Sequence, residues 1–152
     1  MPPSPPDPLS TIRPEITARL QRGIGRALVA ADQAVLFEVP LANGRRADVV
    51  SLDHQGRFTI IEIKSGLADY QADNKWQDYL DYCDDFAFAV AADFPDDVLP
   101  DDVGLMVADE YGAEIIRPFW HQPLNAARRK AMLIRFARAG AGRLQSLLDP
   151  AV

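Results

Sequence analysis

Residues Gly44–Gly66 of the 152-residue chain read GRRADVVSLDHQGRFTIIEIKSG, two apolar runs joined by His54-Gln55-Gly56. The runs alternate as half-buried strands do, with side chains two apart sharing a face. On that pattern Asp48 lies on a face with Val50 and Leu52, and Glu62 and Lys64 lie on one with Phe58 and Ile60. Charges in such company are costly unless they pair with one another or hold a metal or ligand. The centre of the fold and the place to look for chemistry therefore coincide.

Working outward, Ile16, Leu20, Ile24, Ala27, Leu28 and Ala31 recur at spacings of three and four. That spacing predicts an amphipathic helix from Pro14, suited to a first turn, to Ala31, with Arg19, Arg22 and Arg26 mostly off the stripe. Its Gly23-x-Gly25 lacks the Gly-Lys-Ser/Thr of a phosphate-binding loop and carries no functional weight. Three strands follow, Ala34–Leu41, Arg46–Asp53 and Phe58–Lys64, with turns at Asn43-Gly44 and His54-Gln55-Gly56. They predict an antiparallel meander. Ala72, Trp76, Tyr79, Leu80 and Cys83 then fall at helical spacing, and Asp69 or Asp73 can cap a helix running to about Cys83. FAFAVAA, Phe86–Ala92, is a buried strand that a helical crossover allows to run parallel to a meander strand. Beyond an acidic, Pro-broken loop at 93–102, Val103–Ala108 and Glu114–Arg117 read as a hairpin around Tyr111-Gly112. Ala126–Leu148 reads as a long helix with Met132, Phe136 and Leu144 inward.

Size and composition narrow the classes. At 48% hydrophobic the chain supports one domain with a real core. Residues 1–8 hold five of the twelve prolines and no apolar period, so a disordered lead-in is expected there, with a single domain over 9–152. No apolar run approaches the ~20 residues of a membrane span, and no secretion signal opens the chain, so a cytoplasmic protein with no membrane partner is expected. A lone Cys83 and only two histidines rule out a disulfide within the chain and disfavour zinc, leaving a hard ion held by oxygen. Net charge is −6, but residues 65–114 carry fourteen acids against one lysine, and residues 115–152 carry seven bases against one acid. Such asymmetry can leave a basic face on an acidic protein, or simply two solvated faces.

On adjacent antiparallel strands Asp48 and Glu62 come close enough, about 4.5–5.5 Å between paired side-chain origins, to share one cation. Mg²⁺ accepts one or two protein carboxylates and keeps positions for water and phosphate. Asp48 followed by Glu62-x-Lys64, on strands two and three of a helix, meander, helix, strand core over residues 12–92, resembles the PD-(D/E)XK nuclease superfamily. Ala47-Asp48 stands where that superfamily often has Pro-Asp. A closer likeness covers nearly the whole chain: GRRADVV, EIKSG, ADNKWQDYLDYCDDFAFAV, GLMVADEYGAEIIRP and ARRKAMLIRFARA resemble the MmcB family of bacterial DNA repair proteins.

The resemblance implies an α/β, restriction-endonuclease-like core with an extra C-terminal hairpin and long helix, acting on DNA at the bacterial nucleoid. It implies Asp48, Glu62 and the Ile63 carbonyl as ligands of Mg²⁺, with Mn²⁺ as a substitute, and Lys64 orienting the attacking water. Glu38 is the candidate for an extra acid, which the superfamily often places on the first helix instead. Arg45, Arg46, Lys75, Tyr79, Tyr82, Arg128, Arg129 and Lys130 are the DNA-binding candidates; no Gln-x-x-x-Tyr is present, unlike the RecB-like branch.

Each assignment has a structural alternative. Asp48 or Glu62 could form an ion pair with Lys64, Trp76 and Trp120 could be core, and the arginines of the last helix could be a solvated face. The functional alternative is an inactive nuclease-like module that binds DNA, or binds protein through the acidic 93–102 loop. A homodimer is among the allowed states.

Overall fold

The computed structural model describes residues 2–3, 8–72 and 75–150, with side chains in the first helix from Pro14 onward. Its order is α1 (Pro8–Ala30), β1 (Ala34–Pro40), β2 (Arg46–Leu52), β3 (Phe58–Ile63), α2 (Leu67–Ala72), a 3-10 helix (Trp76–Tyr82), β4 (Asp85–Val90), β5 (Gly104–Ala108), β6 (Ala113–Arg117), β7 (Trp120–His121) and α3 (Ala126–Leu148). A short 3-10 turn, Asp96–Val98, interrupts the acidic loop. Most of the expected lead-in falls outside the described residues.

One mixed sheet runs in the order β1-β2-β3-β4-β5-β6. The meander is antiparallel, with Val50 opposite Leu36 on one side and Ile60 on the other. Gly44 and Gly56 take positive φ, 85° and 82°, as its two turns require. β4 returns parallel to β3, with Ile61 opposite Ala87. β5 is parallel to β4 and β6 antiparallel to β5. β7, too short to leave a period in the sequence, pairs with the first two residues of β4.

The faces of the sheet carry separate clusters. Leu20, Ile24 and Leu28 of α1 cover Val49, Ile61, Ile63, Ala89 and Met106. On the opposite face Val50, Phe58, Ile60, Phe86, Phe88 and Leu105 pack under Tyr79, Tyr82 and Met132. Gly23 has a packing role: a Cβ there would stand 1.7 Å from the Asp109 carbonyl oxygen, so α1 lies directly on the β5–β6 turn.

Several expectations are corrected. α1 starts at Pro8, and Pro14 lies inside it at the cost of one intrahelical hydrogen bond. The second helix is a short α2 and a separate 3-10 helix, because Trp76, Tyr79 and Tyr82 turn their rings onto the sheet, Trp76 stacking on Phe86 at 5.6 Å. In α3, Met132 is buried and Phe136 packs edge-on to Phe58 at 5.9 Å, but Leu144 points outward, 56% exposed.

Asp84 ties the second face together. Only 1% of its side chain is exposed, yet it accepts hydrogen bonds from the N–H groups of Phe58 (2.7 Å) and Leu124 (2.9 Å) and a two-pronged contact from Arg129 (2.6 and 2.9 Å). Arg129 also donates to the Gly56 carbonyl at 2.6 Å. One carboxylate thus joins the start of β3, the segment before α3 and α3 itself. Burial pushes the Asp84 carboxyl up, but the guanidinium and the two N–H donors outweigh it and hold the group below its ordinary value of 3.8.

Asp84→Ala should cost about 3–5 kcal/mol, since it leaves two N–H groups without an acceptor and takes the carboxylate partner from the partly buried Arg129. A folded-state carboxyl held low contributes fully above pH 3.8 and loses that contribution as acid titrates it. Urea melts from neutral to acid pH should therefore show the wild type losing stability in the acid limb and the variant losing less; matching acid slopes would assign the effect to another group.

Candidate active site

The β2–β3 ladder stops at Val49–Ile61, one pair short of Asp48 and Glu62. Side chains continue it. The Asp48 N–H donates to Glu62 Oε1 at 3.0 Å, and the Ile63 N–H donates to Asp48 Oδ2 at 2.9 Å. Each carboxylate thus satisfies the backbone of the opposing strand, which brings the two acids together where the strands part. The Lys64 N–H, just past β3, bonds to the Ala89 carbonyl at 3.0 Å and keeps that strand end on β4.

Strict alternation, which placed Asp48 with Val50 and Glu38 with Leu36, breaks here. Phe37 pairs with Val49 and Val39 with Ala47, so Glu38 and Asp48 stand opposite one another without a bridge. Ala47 and Val50, three apart, join the same cluster, as do Leu36 and Val39. Glu38 has φ of 52°, a left-handed backbone in mid-strand. The carbonyls of Phe37 and Glu38 are taken up by the Arg143 guanidinium of α3. Glu38 lines a shallow hollow with Pro14, Thr17, Gln21, Ser65 and Asp69.

Glu62 and Lys64 are each 4% exposed. Burial raises the Asp48 carboxyl; the Ile63 N–H, the contact with Glu62 and the Lys64 charge offset only part of the rise, and Asp69 adds to it. Burial raises Glu62 well above its ordinary 4.5, and the Asp48 charge drives it further. The Tyr79 hydroxyl is pushed up to about 12 by its own burial and then by the Glu62 charge. Lys64 is therefore not a sufficient partner for two carboxylates. Asp69, which also accepts from the Ser65 N–H and hydroxyl at 2.9 and 3.2 Å, acts on this site as well as on its own turn. Its position in the first turn of α2, just past Lys64, was the available signal.

The DNA-binding candidates divide. Arg46, Lys75 and Lys130 are exposed. Arg45 lies over the Tyr79 ring at 5.6 Å and pairs with Asp78 at 3.0 Å. Tyr79 and Tyr82 are buried rather than presented on an outer helix face, and Tyr79 stacks on Phe86. Arg128 sits over the Tyr82 ring at 4.5 Å. Arg129 is committed to Asp84, so its contribution is to the fold.

Two carboxylates, Glu62 buried and Asp48 partly so, that resist ionising together could between them hold a hard cation. Among the described residues no group of three or more His, Cys, Asp or Glu side chains could hold a metal ion.

Fold and site together define a mixed α/β protein with a half-buried and a buried acid and a buried lysine at the edge of its meander. The chain belongs to the MmcB-like family of DNA repair proteins, whose model matches residues 5–151. It is also similar to a solved structure, the SPO1766 protein of unknown function from Silicibacter pomeroyi, at 46% identity and TM-score 0.85 over 88% of this chain and 92% of that one. No curated protein matches the chain. Among the described residues no helix is long and apolar enough to cross a membrane.

An acid raised in the folded state stabilises below its unfolded value and loses that contribution as pH rises through the folded one. Glu62→Gln in EDTA should therefore melt as wild type does below pH 4.5 and gain over it as pH climbs to neutrality. Each kcal/mol of relieved repulsion is worth about 2–4 °C. A neutral-pH melt lower than wild type would mean that Glu62 is an ion-pair partner of Lys64.

Proposed function

We propose that this protein is a divalent-metal-dependent nuclease of the PD-(D/E)XK type, acting on DNA in repair. The observation that supports it best is the acid pair itself: Asp48 and Glu62, each raised by burial, with Glu62 accepting from the Asp48 N–H, Asp48 from the Ile63 N–H, and Lys64 alongside. Such an arrangement is unfavourable in isolation and useful beside a cation and a phosphate.

In this reading Asp48, Glu62 and the Ile63 carbonyl hold Mg²⁺, or Mn²⁺ in its place. Bound there, the cation would supply Lewis-acid charge to the scissile phosphate. Lys64 orients the attacking water and stabilises charge developing on the phosphate. Glu38, across the ladder from Asp48, is the extra acid on the rim. Arg45 and Arg46 lead into β2 and offer the nearest cations for the DNA backbone, and Arg128 and Lys130 extend the basic track onto α3.

Activity is tested by incubating single-stranded, nicked, branched and cross-linked DNA with Mg²⁺ or Mn²⁺. Asp48→Asn and Glu62→Gln should abolish cleavage. Lys64→Ala should lower the rate about 10²–10³-fold while binding survives, as loss of one preorganised charge does. Mn²⁺ at ten times its dissociation constant, where binding is worth about 1.4 kcal/mol, should raise the wild-type melting temperature by about 3–6 °C and leave Asp48→Asn unmoved. Wild-type turnover in Lys64→Ala would remove the lysine from the chemistry.

A second reading, a nuclease-like module that binds without cutting, is favoured by the closure of the site, with Glu62 and Lys64 each 4% exposed. It predicts DNA binding with no cleavage of any substrate and no melting response to metal.

A further inference from the structure

The helix α3 departs from the usual amphipathic pattern. A surface helix ordinarily turns its apolar stripe to the core and its charges to water. Here the arginines turn inward: Arg129 to Asp84, Arg128 to the Tyr82 ring, Arg135 to the Pro40 carbonyl at 3.1 Å, and Arg143 to the carbonyls of Phe37 and Glu38. Of the residues in α3 only Met132 is buried. Met132 and Phe136 pack on the core, while its other large apolar residues face out, with Ile134 51%, Leu144 56% and Leu148 74% exposed.

The outward residues are not scattered. Ala127, Lys130, Ile134, Ala137, Ala141, Leu144 and Leu148 follow spacings of three and four in strict alternation, and all are exposed. That is the seam of a helix that packs lengthwise against another helix. It spans three heptads, about 32 Å at 1.5 Å per residue. Because α3 is already ordered on its domain, pairing would not have to fold it, which removes a large part of the association cost that makes short isolated coiled coils marginal.

We infer that α3 pairs antiparallel with α3 of a second copy of this chain about a two-fold axis near Ala139. The seam is complementary to itself in that arrangement. Ile134 of one copy meets Leu144 of the other, Ala137 meets Ala141, and both contacts recur on the far side of the axis. The alanines at the centre let the helices approach closely. Lys130 falls beside Leu148, next to Asp149 and the negative end of the second helix, so the one charge within the seam finds its complement at both ends. Parallel pairing would put Lys130 against Lys130. Arg138 borders a hollow of about 760 Å³ beside the seam, lined also by Pro40, Ala42 and, from the seam itself, Ala127 and Ile134. The pairing needs no nuclease activity, although it takes Lys130 from the proposed basic track.

Sedimentation velocity and light scattering over a concentration series test it. Wild type should approach twice 16.8 kDa as concentration rises. Ile134→Lys and Leu144→Glu should each stay at 16.8 kDa with wild-type circular dichroism, because both positions are exposed in the single chain. An equimolar mixture of the two variants should recover the dimer mass, since one Ile134–Leu144 contact is kept and the other becomes an ion pair. A wild type that stays at one chain mass at every concentration overturns the inference. So does a dimer that survives Leu144→Glu, or a mixture that fails to reassociate. Wild type remaining single but losing capture by DNA or by lipid vesicles on Leu144→Glu also overturns it, by assigning the seam to another occupant.

Discussion

A single buried carboxylate organises one whole side of this molecule. Asp84 lies just before β4 and gathers donors from Phe58, Leu124 and Arg129. Without it the N–H groups of Phe58 and Leu124 would lose their acceptor, and Arg129 would keep only the carbonyls of Gly56 and Leu124. A charge this deep is tolerated because its acceptor sites are filled by two N–H groups and a two-pronged guanidinium. The cluster of Phe58, Phe86 and Phe88 then closes beneath Tyr79, Tyr82 and Met132. The candidate site lies on the other ends of β2 and β3 and depends on that rigidity.

The two buried acidic centres contrast physically. At Asp84, donors outnumber what burial takes away and the carboxyl is held low. At Asp48 and Glu62, two acids share one lysine and a few N–H groups, and both are raised. The first arrangement is complete in itself; the second is in electrostatic deficit, a condition that structural ion pairs relieve and that sites awaiting a cation retain. The same residue chemistry therefore serves stability at Asp84 and, in the proposed reading, catalysis at Asp48 and Glu62.

Sequence spacing carried the meander, the parallel return of β4, the β5–β6 hairpin and the limits of α3, because each has a clear period of two or of 3.6 residues. It also brought Asp48, Glu62 and Lys64 to one place, since charges in apolar strands stand out. It did not carry β7, two residues long, or the break between α2 and the 3-10 helix, where three aromatic rings and the sheet beneath override helical spacing. Arginine runs were the least legible. Arg128, Arg129, Arg135 and Arg143 look like a solvated face, yet each contacts the domain, because guanidinium groups reach carbonyls, rings and carboxylates that lie far away in the chain. Tyr79 was misjudged for a related reason: its ring belongs to the core and only its hydroxyl, 3.4 Å from the Arg46 carbonyl, approaches the surface side.

The left-handed turn of Glu38 also bears on how the molecule comes apart. Before it, Val35 and Phe37 belong to the α1 cluster; after it, Val39 and Leu41 belong to the opposite one. One edge strand is therefore threaded through both cores. Neither layer can open by itself without pulling residues of β1 out of the other, so the two behave as one cooperative unit rather than as separable foldons. An edge strand is ordinarily the first part of a sheet to fray, but this one is stitched across the sheet, which keeps the margin beside Asp48 from opening ahead of the rest.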